Sequence, residues 1–363
     1  MTLKTTTRWR IGILLAIFPL SFSAVAQRHA SRAEKERAPS LPAVLWHDPG
    51  RVSTLNLFYG EGGRRDAPVP SRRYTFLKED LHGTSPKFDV RDEQGRIWRV
   101  KLGQESRPET AATRLLWAAG YFVTEDYFVP ALKVEHLPKL RRGCQFVSAD
   151  GTVRGARLKL RPSNVRKLGG WDWFRNPFEG TRQLNGLRVM MCLIDNWDLK
   201  DDNNSVYEVD GQRRYEVTDL GASFGKTGNY FTRSKGVATD YSRAPFIARL
   251  SFDRVDFVMH SRPFFVSKIE RRNYRERARI EAIARNIPVA DARWVGHRLA
   301  GLSSRQLREC FRSAGYSTAE TDIYVRVVRM RIAELNRLQP AGARSEPEFR
   351  IARRGQSKSS RKQ

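Results

Sequence analysis

Apolar positions recur with a strand period through the first half of the chain and with a helical period through the second. Tyr74-Thr-Phe-Leu77 and Lys87-Phe-Asp-Val90 read as short strands. Asp92-Glu-Gln-Gly95 is turn chemistry, and Ile97-Trp-Arg-Val-Lys101 returns as the partner strand. Pro108 suits the first turn of a helix that Glu109 to Ala119 continues. Leu115, Leu116 and Ala119 form its apolar face, and Gly120 ends it. Extended segments follow near 127–134 and 156–160. A second helix is predicted from Thr181 to Ile194, with Leu184, Leu187, Met191 and Ile194 at helical spacing. Next comes a hairpin: Ser205 to Val209, an Asp210-Gly211 turn, and Tyr215 to Val217. Residues 266–338 read as mostly helical, with Ile323, Val327 and Met330 on one face of the last long helix. There is no internal repeat. This order predicts an α+β fold with a strand-rich lobe, a helical lobe and a cleft between them.

The two ends have a different texture. Lys4, Arg8 and Arg10 precede an apolar run from Ile11 to Val25, and Ala24-Val25-Ala26 is a small-x-small cleavage site. This predicts a signal peptide over 1–26, with export to the periplasm or the extracellular space; an uncleaved anchor is the alternative. Residues 27–72 read as a leader and partly ordered extension, flexible over 27–45. Residues 73–160 form the strand-rich lobe, 161–340 the helical lobe, and 341–363 a disordered basic tail.

Composition adds a constraint on partners. The 363 residues carry a formal net charge of +27, which favours acidic polymers or an anionic membrane surface. No basic motif interleaved with aromatics points to specific nucleic-acid binding. Of the three cysteines, Cys192 falls in an apolar helical stretch and is assigned to the core. One disulfide is open to an exported chain, its pairing unspecified, and no C-x-x-C suggests zinc.

The densest chemistry lies in Asp198-Leu-Lys-Asp-Asp-Asn203 and Asp219-Leu-Gly221. One acid can orient a hydroxyl nucleophile. A lysine can neutralise a transferred phosphoryl group, and an amide with a later acid can hold a metal against phosphates. Asp195 and Asn204 are near neighbours able to exchange roles with Asp198 and Asn203, whereas Asp201 and Asp202 read as solvated loop acids.

Upstream stand Gly83-Thr-Ser-Pro-Lys87 between two strands, Lys101 at the end of a strand and Glu109 at the next helix. In this order the elements resemble the protein-kinase-like superfamily, nearest its atypical branch of HipA-type, phosphatidylinositol and secreted kinases. The resemblance covers roughly residues 75–335. It implies a two-lobed kinase-like fold and a phosphotransferase using ATP and Mg2+ or Mn2+ on a hydroxyl acceptor.

By that resemblance Lys101, steadied by Glu109, pairs with the nucleotide phosphates, and Gly83 and Lys87 lie over them. Asp198 and Lys200 are catalytic, and Asn203 and Asp219 hold the metal. The sequence departs from the ordinary pattern in three places. Gly83 to Lys87 is not a G-x-G-x-x-G loop, Asn196 stands where a histidine is usual, and no Ala-Pro-Glu closes the segment after Asp219. An inactive binding module and AMP transfer on the same fold are the alternatives, and a polyanion-binding surface protein with incidental acids is a third.

Overall fold

A computed structural model describes residues 28–31, 35, 38–227, 233–260 and 271–339. The expected signal peptide and basic tail lie outside them.

Five strands close into a barrel in the order β3-β4-β5-β7-β6. They are β3 (Tyr74–Asp80), β4 (Lys87–Asp92), β5 (Ile97–Lys101), β6 (Asp126–Glu135) and β7 (Thr152–Leu160). The pleat sorts their residues. Phe88, Val90, Trp98, Val100, Ala156 and Leu158 fill the barrel. Lys87, Arg99, Lys101, Arg157 and Lys159 point the other way and line a cleft.

The rest of the chain builds a second, larger core. Helix α2 (Ser106–Ala118) follows β5 and buries Ala111, Ala112, Leu115 and Leu116 in that core. Pro108 lies in its first turn, and Gly120 leaves it at a φ of +94°. A four-residue helix, α1 (Gly63–Asp66), precedes the barrel. Helix α3 (Arg182–Leu193) starts at Thr181, whose hydroxyl accepts from the Leu184 amide at 3.2 Å. It is buried along most of its length, with Met190 to Leu193 inaccessible. The hairpin β9 (Asn204–Val209) and β10 (Gln212–Val217) follows and joins β8 (Arg166–Gly169) in a second sheet.

Beyond the hairpin lie α4 (Ala238–Arg243) and a small sheet of β11 (Ile247–Ser251), β12 (Arg254–Phe257) and β13 (Ile287–Pro288). The helices α5 (Arg271–Ile283), α6 (Val289–Ala300), α7 (Ser304–Ser313) and α8 (Thr318–Arg337) complete the chain. A capping box starts α7 at Ser303 and Gln306, and another starts α8 at Ser317 and Glu320. The architecture is α+β, a barrel standing on a mainly helical body.

Two expectations are corrected. Part of the segment read as a flexible leader is packed, since Ala38 and Leu45 are buried, and Val52 and Leu57 of the extension lie in the larger core. β1 (Arg28–His29) pairs with β8, and β2 (Ala43–Val44) pairs with β10. The apolar face of α8 is only in part the one expected, with Val327 in the core and Ile323 packed against it. Met330 is 49% exposed, while Tyr324, Val328, Arg331 and Leu335 are sealed. The helix turns this face to α4 and α6, and a buried arginine on it breaks the hydrophobic pattern that periodicity relies on. Finally, Cys144, Cys192 and Cys310 are all free thiols, Cys192 and Cys310 deep in the core and Cys144 exposed.

Candidate functional site

The cleft between the barrel and the body encloses a cavity of about 570 Å³. Its wall includes Gly83, Lys87, Lys101, Glu109, Asp198, Lys200, Asn203 and Asp219, the residues to which the resemblance gives a role.

Lys101 ends β5 facing this cavity, and its side chain is almost wholly buried. Its Nζ lies 2.9 Å from Glu109 Oε2, 2.7 Å from Glu105 Oε2 and 3.3 Å from Asp219 Oδ1. Burial disfavours the ammonium, but Glu109, Asp219 and Glu105 outweigh it and hold its pKa above the ordinary lysine value. Arg157, across the ladder from Lys101, binds the other Glu109 oxygen at 2.9 Å. Burial pushes the Glu109 carboxyl up against the pull of these two cations. With a cation 2.9 Å from each oxygen, we read Glu109 as the anion of a matched buried network.

Glu105 had no role in the sequence reading. It sits just before α2, takes Lys101 and Lys235, and accepts from Ser85 Oγ at 2.6 Å. Burial raises its pKa, yet Lys101 and these hydrogen bonds hold it well below the usual carboxylate range. Through Ser85 it ties the Gly83–Lys87 turn to the lysine. Gly83 sits at a φ of +70°, so the turn requires the residue that occupies it.

The loop after α3 presents Asp198 and Lys200, paired at 2.7 Å and both partly exposed. Asn203 donates its amide to the Asp198 carbonyl at 2.6 Å, which leaves Oδ1 as its acceptor. Asp219 follows β10. Its Oδ1 accepts from Gly221 N at 3.2 Å besides meeting Lys101, and its Oδ2 has no hydrogen bond among the described residues. Asn196, buried in the place where a histidine is usual, links the two loops. Its Oδ1 accepts from Asp198 N at 3.2 Å, and its Nδ2 donates to the Asp219 carbonyl at 3.4 Å.

The near neighbours separate cleanly. Asp195 is buried at a φ of +54° and binds Arg331 at 2.9 Å, so it cannot exchange with Asp198. Arg331 also donates to the Leu193 and Ala244 carbonyls, closing the end of α3. Asn204 is buried too and donates to the Trp171 carbonyl. Asp201 is not a solvated acid, because it binds Arg279 at 2.7 Å and receives the Trp173 amide. Asp202 is exposed and lines the cavity.

The donor set fits a divalent cation shared with phosphates. Asn203 Oδ1 and Asp219 Oδ2 are oxygens with no internal partner among the described residues, on the wall of one cavity. Among those residues no three His, Cys, Asp or Glu side chains form a metal site by themselves. A cation here would therefore draw its remaining oxygens from substrate or water.

No family model and no curated protein matches the chain. Among solved structures it is similar to the Golgi casein kinase, at 11% identity and a TM-score of 0.39, over 86% of this chain and 83% of that one. It is also similar to the Helicobacter pylori proinflammatory kinase CtkA, at 10% identity and a TM-score of 0.39, over 72% and 92%. A structure of the Golgi casein kinase with Mn and ADP bound is similar at 10% identity and a TM-score of 0.37, over 86% and 83%. At such scores the likeness is one of outline. The kinase-like reading stands on the order of barrel, helix, loop and hairpin in this chain, and on the contacts of Lys101.

Proposed function

We propose that the protein is a metal-dependent phosphotransferase that moves the terminal phosphoryl group of ATP to a hydroxyl acceptor. The observation that carries this reading is Lys101. It contacts both Glu109 and Asp219 on a cavity wall that also holds Asp198 and Asn203. One side of such a site binds phosphate oxygens, and the other accepts a proton.

Each group then has a task within reach. Lys101 binds phosphate oxygens, held in place by Glu109. Asp198 takes the proton of the acceptor hydroxyl, and Lys200 beside it offsets charge on the group in transfer. Asn203 and Asp219 would hold Mg2+ or Mn2+, which supplies a Lewis acid at the phosphates when bound. Export belongs to this reading and rests on residues 4–26 alone.

The test uses the full chain with labelled ATP, Mg2+ or Mn2+, and protein, lipid and sugar acceptors. The γ-label should transfer and the α-label should not. Asp198→Asn, Lys101→Met and Asp219→Asn should each lower transfer about 100-fold or more. Transfer of the α-label would assign AMP transfer. Nucleotide binding without transfer would assign a binding module.

A further inference from the structure

Strands β4, β5 and β7 turn one charged face to the cleft. Lys87, Lys101 and Arg157 stand in register across them, followed by Asp89, Arg99 and Lys159. Arg99 is fixed by Asp89 at 2.7 Å, and Arg161, just beyond β7, binds the same carboxylate at 2.8 Å. Tyr207, Lys167 and His29 also line the cavity.

Two features of this lining bear on the donor. First, among the described residues it contains no Ala, Val, Leu, Ile, Met or Phe, and the apolar side chains Val123, Leu160, Val165 and Val209 beyond Lys159 and Tyr207 line a separate cavity of only about 100 Å³. Sites that hold a flat organic ring are mostly apolar, because binding removes apolar surface from water. Second, eight lining residues are Lys or Arg against four Asp or Glu. Lys87, Lys159 and Lys167 have no ion pair among the described residues. Burial lowers the pKa of each, so an entering anion would relieve a cost already present in the fold.

We propose that the cleft takes a condensed phosphate as phosphoryl donor, with the terminal phosphate at Lys101 and inner phosphates on Lys159 and Lys167. The proposal rests on the phosphotransferase reading and changes only the donor's far end, from nucleoside to further phosphate. The step balances without a redox partner. The terminal P–O–P bridge breaks, and the acceptor oxygen forms the new P–O bond. The hydroxyl proton passes to Asp198, and polyphosphate shorter by one phosphate leaves.

The test compares medium-chain inorganic polyphosphate, tripolyphosphate, ATP and adenosine on the full chain with Mg2+ or Mn2+, by direct binding and by transfer of terminal label. Polyphosphate should bind more tightly than ATP and donate label, and adenosine should not compete. The double variant Lys159→Met, Lys167→Met should weaken polyphosphate about tenfold or more while changing inorganic monophosphate, which reaches only Lys101, less than about twofold. Thermal unfolding of the variant separates this from a folding defect. If ATP binds and donates but polyphosphate does neither, the inference fails and the phosphotransferase reading stands. Competition by adenosine would likewise overturn it, in favour of a base stacked on the arginines. If no phosphate compound binds, both fail.

Discussion

Arg331 shows how one side chain is held by several independent partners. Its guanidinium is sealed from solvent, binds Asp195 at 2.9 Å, donates to the Leu193 and Ala244 carbonyls, and lies 4.2 Å from the centre of the Tyr241 ring. Replacing it with an apolar side chain strands the Asp195 carboxylate in the core. Arg331→Met should therefore cost about 3–5 kcal/mol of unfolding free energy, read by denaturant titration. Because Asp195 opens the loop that carries Asp198, the same variant should also lose phosphoryl transfer under conditions where it stays folded.

At the scale of elements, α3 shows where close packing overrides helix propensity. A Cβ on Gly186 would come within 2.4 Å of Tyr121 Oη and 2.6 Å of the Trp294 ring. Gly186→Ala gains about 1 kcal/mol of helix propensity. It must also force two aromatic side chains apart, at about 1–3 kcal/mol. The variant should be less stable than the parent by differential scanning calorimetry, and equal or higher stability would contradict the packing. Local patterns made most elements legible in the sequence. β5, α3 and the hairpin have strict periods, a hydroxyl cap and an Asp-Gly turn. The site residues were legible for a similar reason, since Asp198, Asn203 and Asp219 lie close together in the chain. What was not legible depends on distant partners. Glu105 is defined by Lys101, Lys235 and Ser85, and Asp201 by Arg279. The buried face of α8 is set by a carboxylate 136 residues away.

At the scale of the molecule, buried charge behind the cleft should shape the response to pH. Glu216 is buried on β10, and burial raises its pKa to about 7, with Lys159 opposing the shift and Glu61 adding to it. A raised carboxyl pKa means that the folded state binds the proton more tightly than the unfolded one. Its stability contribution is full below the ordinary value of 4.5 and is lost as pH rises through about 7. Glu216→Gln should match the parent's melting temperature near the low end of that window. Above its upper end it should melt higher than the parent, with an unfolding free energy greater by up to about 3 kcal/mol. A constant difference across the window would show that Glu216 does not titrate there. The contact between Arg331 and Asp195 has a consequence in time as well as in space. The loop that carries Asp198 is pinned by a side chain 136 residues beyond Asp195, so a chain made only as far as that loop holds Asp198 without this support. On the proposed reading, the site gains this support only once α8 has been made.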